Sequence, residues 1–279
     1  MKILLTGATG QLGRELLTEL SSLGDIWAPK RVDFDLASPE KLRQLMRWYN
    51  PDLVVNPAAY TAVDQAENDA DMCMLINAEA PKVLAEECAR IGSQFIHFST
   101  DYVFDGLNDA PYRESDPTNP LSVYGATKLI GEHEVLGACD RSLIVRTSWV
   151  YSPHYGKNFY TTMLKLFSDK KTIRVVNDQF GRPTSTSFLA VNILHAIKSL
   201  IKNRCEYSKY GIYHLVGKES MSWFEFACRI YSKQHLCEEE RPSIEILPVS
   251  SSEFPALAAR PQYSVLDRSK WADVFGIIE

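Results

Sequence analysis

Short apolar runs alternate with longer segments in which apolar residues recur every three or four positions. Gln11–Leu23 shows the longer pattern, because its leucines fall on one side of a helix. Asp52–Asn56 is apolar at its centre, as a strand buried on both faces would be. The short runs predict strands at Ile3–Leu5 with its flanks, Ile26–Ala28, Asp52–Asn56, Gln94–Phe98 and Ser142–Arg146. The periodic segments predict helices at Gln11–Leu23, Pro39–Tyr49, Ala70–Ile91 and Leu121–Leu136.

This alternation over roughly the first 180 residues predicts an α/β fold with a doubly wound parallel sheet of about six strands. Beyond it, the pattern predicts a helix at Ser185–Ile201, a strand at Tyr213–Val216 and a helix at Ser222–Lys233. Glu238–Arg260 is polar, contains proline and carries several turn signals. We therefore expect a smaller lobe built onto the sheet. The chain ends with the letters G-I-I-E and no obvious closing element, which leaves room for a missing C-terminal piece.

The composition is that of a folded globular protein. Of the 279 residues, 45% are hydrophobic and 23% are charged, the formal net charge is −5 and the pI is about 5.8. This balance allows a real core and argues against nucleic acid as a partner. The opening apolar run is too short for a signal peptide, and no stretch reaches the roughly 18 apolar residues of a membrane span, so we predict no membrane partner.

The cysteines are scattered along the chain without C-x-x-C spacing. They are Cys73, Cys88, Cys139, Cys205, Cys228 and Cys237. Their neighbours have mostly helical patterns, which favours reduced thiols over a disulfide framework or a zinc site. We therefore predict a cytoplasmic protein.

The letters T-G-A-T-G-Q-L-G place Gly7, Gly10 and Gly13 directly after the first strand. The first glycine permits a tight turn, the second lets the backbone approach a pyrophosphate, and the third lets the helix pack close to the sheet. Because the motif lies between a predicted strand and an amphipathic helix, it predicts dinucleotide binding rather than only a glycine-rich turn. We assign residues 1–183 to a dinucleotide-binding Rossmann domain and residues 184–279 mainly to a substrate-binding lobe interleaved with it.

The second predicted strand is followed by Pro29, Lys30 and Arg31. The end of this strand normally faces the adenosine ribose, where basic residues can hold a 2′-phosphate and an acidic residue favours NAD. The basic pair favours NADPH over NADH. Two points leave the choice open: the charges could simply be solvated, and Asp33 and Asp35 follow directly.

Two hydroxyl residues and a tyrosine–lysine pair follow the fourth predicted strand. Ser99 and Thr100 lie where ligands bind in such sheets, outside the carboxyl ends of the strands. Tyr124 and Lys128 fall one turn apart on the same helix face. An ammonium group lowers the pKa of a nearby phenol, ordinarily about 10. Tyr124 could then give a proton to a carbonyl oxygen as hydride arrives at the carbon, with Thr100 bonded to the same oxygen.

These motifs resemble those of the extended short-chain dehydrogenase/reductase family, and the resemblance covers essentially the whole chain. The motifs are T-G-A-T-G-Q-L-G, N-P-A-A-Y-T-A-V-D-Q-A-E (Asn56–Glu67), I-N-A-E-A-P (Ile76–Pro81), F-S-T-D-Y-V-F-D-G, Y-G-A-T-K, R-T-S-W-V-Y (Arg146–Tyr151), D-Q-F-G-R-P-T (Asp178–Thr184) and A-R-P-Q-Y-S-V-L-D (Ala259–Asp267). Together, S-T-D-Y-V-F and R-T-S-W-V-Y are specific to the branch that reduces dTDP-linked 4-keto-6-deoxy sugars.

The resemblance implies a role for each matching residue. The catalytic residues would be Thr100, Tyr124 and Lys128, with threonine in place of the more usual serine. The cofactor-binding residues would be Gly7, Gly10, Gln11, Leu12, Gly13, Lys30, Asp35, Leu36, Ala58, Ala59, Tyr60, Tyr124 and Lys128. The substrate-binding residues would be Thr100, Asp101, Val103, Phe104, Tyr124, Trp149, Arg182 and Arg260. Core packing stays an alternative for Trp149 and Phe104, a turn cap for Asp101, and surface charge for the two arginines.

The resemblance also raises the question of a metal. Some family members dimerise around a magnesium ion held by acidic residues. Glu15 on the first helix could serve, but Ser185, Thr186, Ser187 and Val191 after Pro183 offer no carboxylate. We therefore predict no bound magnesium and no dimer of that kind, while a homodimer formed in another way stays open.

The expected reaction is NADPH- or NADH-dependent reduction of the C4 ketone of dTDP-4-dehydro-6-deoxy-L-mannose to dTDP-L-rhamnose. Three alternatives stay open. The substrate could be another nucleotide-linked 4-keto-6-deoxy sugar. The chain could be a non-catalytic, NADP-binding regulatory subunit of methionine adenosyltransferase, although such a role would not need the reaction centre. An epimerase or dehydratase ranks third, with Asp101 where a dehydratase would want a carboxylate.

Overall fold

The computed structural model describes residues 1–202, 207–235 and 244–276. Its strands are β1 (Lys2–Leu5), β2 (Asp25–Trp27), β3 (Leu53–Asn56), β4 (Gln94–Thr100), β5 (Ser142–Thr147), β6 (Val150–Tyr151), β7 (Thr172–Val176), β8 (Phe180–Gly181), β9 (Thr184–Ser185), β10 (Gly211–His214), β11 (Met221–Ser222) and β12 (Glu245–Val249). Its α-helices are α1 (Gln11–Leu20), α2 (Pro39–Tyr49), α3 (Val63–Ala66), α4 (Ala70–Met74), α5 (Ala80–Ile91), α6 (Val123–Ala138), α7 (Phe159–Asp169), α8 (Thr186–Lys202), α9 (Trp223–His235) and α10 (Ser269–Phe275).

Within the described ranges, six strands form a sheet in the order β2-β1-β3-β4-β5-β10. Every neighbouring pair in it is parallel. The chain runs from β1 outwards to β2 and then crosses to β3 on the other side of β1, so the strand order reverses between β1 and β3. Ligands bind outside the carboxyl ends of strands at such a reversal. The predicted α/β fold with a parallel sheet is confirmed.

Helices cover both faces of this sheet. On one face α1, α8 and α10 bury a cluster that includes Leu16 and Ile193. On the other face α2, α5 and α6 bury a second cluster that includes Met46 and Leu84. Because both faces are covered, the central strands are apolar along their length rather than alternating.

The smaller lobe has a core of its own. Helices α7 and α9 pack together and against the parallel pair β7–β12, around Met163, Phe167, Phe226 and Ile230. The lobe draws α7 and β7 from before residue 184, whereas α8, β10 and α10 come after it and belong to the main sheet layers. The two segments are thus interleaved, and a division between residues 183 and 184 stays a prediction.

Most predicted elements lie within two or three residues of the observed ones. The predicted helix Ala70–Ile91 contains a π-helical turn at Leu75–Glu79 between α4 and α5. The pattern also favours an early start for α6, with Asn119 as its cap. The observed cap is Ser122, whose Oγ accepts a hydrogen bond from the Gly125 amide at 3.2 Å.

Six strands, most of them short, were not predicted: β6, β7, β8, β9, β11 and β12. β12 lies in the polar stretch where the sequence shows turn signals, and it is a partly exposed strand with proline as its fourth residue. It forms by pairing with β7, for example Glu245 with Thr172. A short pattern cannot show this, because the partner lies about 70 residues earlier in the chain.

The described cysteines are free thiols: Cys73, Cys88, Cys139 and Cys228. The predictions for Cys205 and Cys237, and for the last three residues of the chain, lie outside the described residues. Among the helices of the described part, none has the length and apolar character to cross a membrane.

Candidate active site

A cleft of about 760 Å³ opens at the carboxyl ends of β1, β3, β4 and β5. Among its lining residues are many of the predicted site residues: Gly7, Gly10, Gln11, Leu12, Gly13, Asp35, Leu36, Ala58, Ala59, Thr100, Asp101, Tyr124, Lys128 and Trp149. The fold therefore brings the glycine loop and the tyrosine–lysine pair to one opening, although they lie more than 100 residues apart in the chain.

The glycine loop forms a tight cradle at the N-terminus of α1. Gly7 has a φ of +58°, in the left-handed region that favours glycine. A Cβ on Gly13 would lie 2.1 Å from the Gly7 carbonyl oxygen, so the third glycine lets the helix approach the loop. Gly10 is the N-cap residue of α1 and supplies no side-chain hydrogen bond, and the first turn contains no acidic residue. Its amide groups therefore suit a pyrophosphate, and the cradle fits a dinucleotide.

Beyond the end of β2, Arg31 lines the cleft, whereas Lys30 is exposed and does not. The Arg31 side chain is 75% exposed and its Nε lies 3.7 Å from a carboxylate oxygen of Asp35. A basic group at this end of a Rossmann site can hold a 2′-phosphate. Arg31 is thus the better-placed of the two basic residues, and a cofactor role for Lys30 stays a prediction.

Thr100, Asp101 and Tyr124 form a hydrogen-bonded group at the reaction centre. Thr100 Oγ1 donates to Asp101 Oδ1 at 3.0 Å and accepts from the Tyr102 amide at 3.2 Å. The Tyr124 side chain is also hydrogen-bonded to Thr100. The second oxygen of Asp101 accepts from Ser264 Oγ at 2.5 Å. Asp101 is buried, which raises its pKa to about 6.

The Tyr124 phenol is protonated at neutral pH. Burial raises the pKa of Tyr124, and the hydrogen bond to Thr100 opposes this rise. The sequence predicts that Lys128 lowers this pKa, but burial outweighs any such effect in the structure. A protonated phenol is nevertheless the form that a proton donor needs.

Lys128 is almost completely buried, with 2% of its surface exposed. Its Nζ donates to the Phe98 carbonyl at 2.6 Å and lies 3.3 Å from His97 Nε2. Burial lowers the pKa of Lys128 to about 8, against an opposing effect of Glu132. The lysine head is therefore held firmly at the floor of the cleft and carries a proton through most of the neutral range.

The glycine of Y-G-A-T-K, Gly125, is required by close packing between two segments. A Cβ on Gly125 would lie 2.2 Å from the Tyr102 carbonyl oxygen, so only glycine lets α6 approach the loop after β4. Tyr102 lines the cleft next to Tyr124, with the two rings edge to face at 5.7 Å. This close approach places the tyrosine–lysine pair beside Thr100.

A second tryptophan, Trp223, lies in the cleft. The sequence did not single it out. Trp149 and Trp223 stack face to face, with ring centroids 3.4 Å apart and planes 4° from parallel. Trp149 has a φ of +47°, unusual for a bulky residue, and a Cβ on Gly181 would lie 2.4 Å from its ring. Trp223 begins α9 within the letters M-S-W-F-E-F, which are typical of a core helix. No local signal links it to Trp149.

Arg260 is an anchor for the C-terminal segment. It forms a forked pair with Asp64, at 2.8 and 3.1 Å, and is hydrogen-bonded to Tyr102. Arg260 does not itself line the cleft, but Tyr102 does. The arginine is therefore placed to fix the Tyr102 phenol, and direct contact with a diphosphate stays a prediction.

Four other predicted residues also lie away from the lining of the cleft. Val103 and Phe104 are fully buried in a small core, where Phe104 stacks on Tyr112 at 4.2 Å, so the core alternative matches the position of Phe104. Tyr60 donates its hydroxyl to Asp69 at 3.2 Å. Arg182 bonds the backbone carbonyls of Gly217 and Lys218. These four do not line the cleft, and their roles in binding stay predictions.

Comparison with known proteins agrees with this geometry. The family model of the RmlD substrate binding domain matches residues 1–279. The chain belongs to this family. The dTDP-4-dehydrorhamnose reductase of Burkholderia thailandensis is 41% identical over 280 residues, which cover 99% of this chain and 94% of the relative. The spore coat polysaccharide biosynthesis protein SpsK of Bacillus subtilis is 42% identical over 266 residues, which cover 95% of this chain and 88% of the relative.

A solved member of the RmlD family has the same fold. The crystal structure of dTDP-4-dehydrorhamnose reductase from Bacillus anthracis, in complex with NADP, matches with a TM-score of 0.89 and 36% identity, over 100% of this chain and 94% of that chain. Membership of the RmlD family confirms the resemblance on which the predicted reductase rests. In the part of the chain that is described, no group of three histidine, cysteine or acidic side chains could hold a metal ion. The absence of magnesium and the oligomeric state stay predictions.

Proposed function

We propose that the chain is an NADPH-dependent reductase that converts the C4 ketone of dTDP-4-dehydro-6-deoxy-L-mannose to the alcohol of dTDP-L-rhamnose. The observation that carries the proposal is the hydrogen-bonded Thr100–Tyr124 pair, with Lys128, in the same cleft as a dinucleotide cradle. Relatives that cover nearly the whole chain are dTDP-4-dehydrorhamnose reductases.

The chain's own residues account for the proton and the positioning. The bound cofactor supplies hydride. Thr100 and Tyr124 direct their hydroxyl groups to one carbonyl oxygen, and Tyr124 gives it a proton as negative charge develops there. Lys128 provides the ammonium that stabilises the phenolate left behind. In the structure the single hydroxyl proton of Thr100 is directed to Asp101, so when the substrate binds Thr100 would exchange this bond for one to the carbonyl oxygen.

The proposed activity is tested by absorbance at 340 nm. The protein is mixed with NADPH or NADH and with the dTDP-linked 4-keto sugar, which a preceding epimerase supplies in situ. A fall in absorbance with formation of dTDP-L-rhamnose supports the proposal. Binding of NADPH without turnover of this 4-keto sugar, or of its epimers at the other ring carbons, would instead favour the regulatory-subunit alternative. Turnover of a different epimer alone would move the assignment to another 4-keto sugar.

Cofactor preference depends on Arg31 in this proposal. We expect Arg31→Ala to raise the KM for NADPH about tenfold, because a charge-assisted bond to the 2′-phosphate is lost, and to change the KM for NADH little. Lys30→Ala is the matched comparison: it should change neither KM if Arg31 alone holds the phosphate, whereas a rise in the KM for NADPH would support the predicted cofactor role of Lys30. Equal effects of Arg31→Ala on both cofactors would contradict a phosphate contact.

Substrate binding should depend on Trp223 as well as on Trp149. We expect Trp223→Ala to raise the KM for the sugar nucleotide about tenfold, because Trp149 loses the ring that holds its orientation. The KM for NADPH should change less than twofold. Trp48→Ala, an exposed tryptophan on α2, is the control for loss of an indole. An unchanged KM in Trp223→Ala would place the stacked pair outside the substrate site.

We propose a cytoplasmic location and leave the assembly open. The free thiols of the described cysteines suit a reducing compartment. Size-exclusion chromatography with and without EDTA would test both the predicted absence of a magnesium-linked dimer and the alternative of a metal-independent homodimer.

A further inference from the structure

A chain of buried hydrogen bonds leads from the glycine-loop strand to the lysine of the reaction centre. Thr6 Oγ1 is 2.6 Å from Asn56 Oδ1, and Asn56 Nδ2 is 3.1 Å from His97 Nδ1. His97 Nε2 is in turn 3.3 Å from Lys128 Nζ. These four residues, which we call the buried relay, are each at most 2% exposed. They join the ends of β1 and β3 to β4 and to α6.

His97 is a neutral imidazole in this position. Burial and the neighbouring Lys128 hold the pKa of His97 well below its usual range, against the opposing effect of a hydrogen bond to the Asn56 backbone. A neutral ring has one nitrogen that donates and one that accepts. The bond to Asn56 at Nδ1 therefore decides whether Nε2 faces Lys128 with a proton or with a lone pair.

The relay has two hydrogen-bond settings. In the orientation found, Asn56 donates to Nδ1 of His97, so the ring proton is on Nε2 and points at a neutral lysine amine. A half-turn of the Asn56 amide presents its oxygen to Nδ1, which then carries the proton and leaves Nε2 to accept from an ammonium. Thr6 can donate or accept, because its hydroxyl does both. Neither setting requires a heavy atom of the backbone to move.

We propose that His97, set by Asn56 and Thr6, is a positioning residue that holds Lys128 Nζ in place in both its charged and its neutral form. The other fixed partner of Nζ, the Phe98 carbonyl, can only accept. The remaining groups that act on Lys128 are Glu132 and Cys73. Glu132 is engaged by Arg146 at 2.6 Å, and the Cys73 thiol lies 3.2 Å from Thr127 Oγ1.

The two forms matter because both occur near neutral pH. Burial brings the pKa of Lys128 to about 8, so ammonium and amine are both populated between about pH 7 and pH 9. Without His97, the nitrogen would keep a single partner in either form. The ammonium form would lose more stabilisation than the amine form, since hydrogen bonds to charged groups are the stronger ones. The pKa of Lys128 would therefore fall.

The test is a pH titration of Lys128 in His97→Leu. With lysine labelled at Cε, the NMR resonance of Lys128 is the one that disappears in Lys128→Met. We expect the titration midpoint in His97→Leu to fall by about one pH unit. In His97→Gln, whose amide can donate or accept, the midpoint should return most of the way to the wild-type value. Phe95→Leu, a buried ring that stacks on His97, is the control for core damage and should leave the midpoint unchanged.

The catalytic readout rests on the proposed reductase activity. If the wild-type protein reduces the dTDP sugar, the alkaline limb of its kcat–pH profile should move in the same direction in His97→Leu, with about threefold lower kcat at pH 7.5. An unchanged Lys128 midpoint in His97→Leu, or an equal shift in Phe95→Leu, would overturn the inference. The NMR titration needs no substrate, so absence of wild-type turnover would count only against the proposed function.

Discussion

Tyr124→Phe should lower the rate of sugar reduction by about 10² to 10⁴-fold while the protein still binds NADPH. The phenol is the group in the cleft that combines a proton at neutral pH with a hydrogen bond to Thr100. Removing one oxygen atom takes away the proton donor but keeps the ring that packs edge to face on Tyr102. The measurement is single-turnover decay of absorbance at 340 nm, with NADPH affinity followed by its fluorescence.

The matched control is Tyr102→Phe, because both phenols border the cleft. The Tyr102 phenol is hydrogen-bonded to Arg260 rather than to Thr100, so loss of its hydroxyl should weaken substrate binding but leave most of kcat. A rate for Tyr124→Phe within tenfold of wild type would contradict its role as the donor. An equal loss of kcat in Tyr102→Phe would show that the two phenols act together.

Arg146→Met should lower the free energy of unfolding by about 3–5 kcal/mol, because it leaves the Glu132 carboxylate buried without its partner. Arg146 reaches Glu132 through two parallel bonds, from Nε to Oε1 at 2.9 Å and from Nη2 to Oε2 at 2.6 Å. Glu132 also accepts from Ser99 and is completely buried. The measurement is equilibrium unfolding in urea.

The control is an ion pair of the same helix that faces solvent. Glu134 of α6 pairs with Lys82 at 2.7 Å, with side chains 38% and 44% exposed. Lys82→Met should change the free energy of unfolding by less than about 1 kcal/mol. Replacing Arg146 and Glu132 together by Met and Leu should recover much of the loss, since no unpaired charge then remains. Similar losses for Arg146→Met and for the double variant would argue against the pairing as the cause.

Features that depend on near neighbours in the chain could be predicted from the sequence. The glycine loop is an example, because one strand, one turn and one helix N-terminus contain all its residues. Tyr124 and Lys128 are another, since one helical turn fixes their spacing. These local constraints also predicted the alternation of strands and helices that forms the parallel sheet.

Features that depend on distant partners could not be predicted. Trp223 becomes part of the cleft only because α9 carries it to Trp149, and its own neighbours have the pattern of a core helix. Phe104 follows Thr100 closely in the chain, but the turn after β4 directs it inwards onto Tyr112. The direction of the pKa shift of Tyr124 depends on burial by several segments, which a tyrosine–lysine spacing does not reveal.

The late position of β10 in the chain bears on how the protein folds during synthesis. The sheet edge at β5 is covered only when Gly211–His214 pairs with it, and the face that carries α1 is closed only by α8 and α10. A ribosome-bound chain that ends before α8 has the whole glycine loop but exposes that apolar face and an unpaired strand edge. We infer that the nascent protein becomes competent for its cofactor only after α8, β10 and α10 have been synthesised.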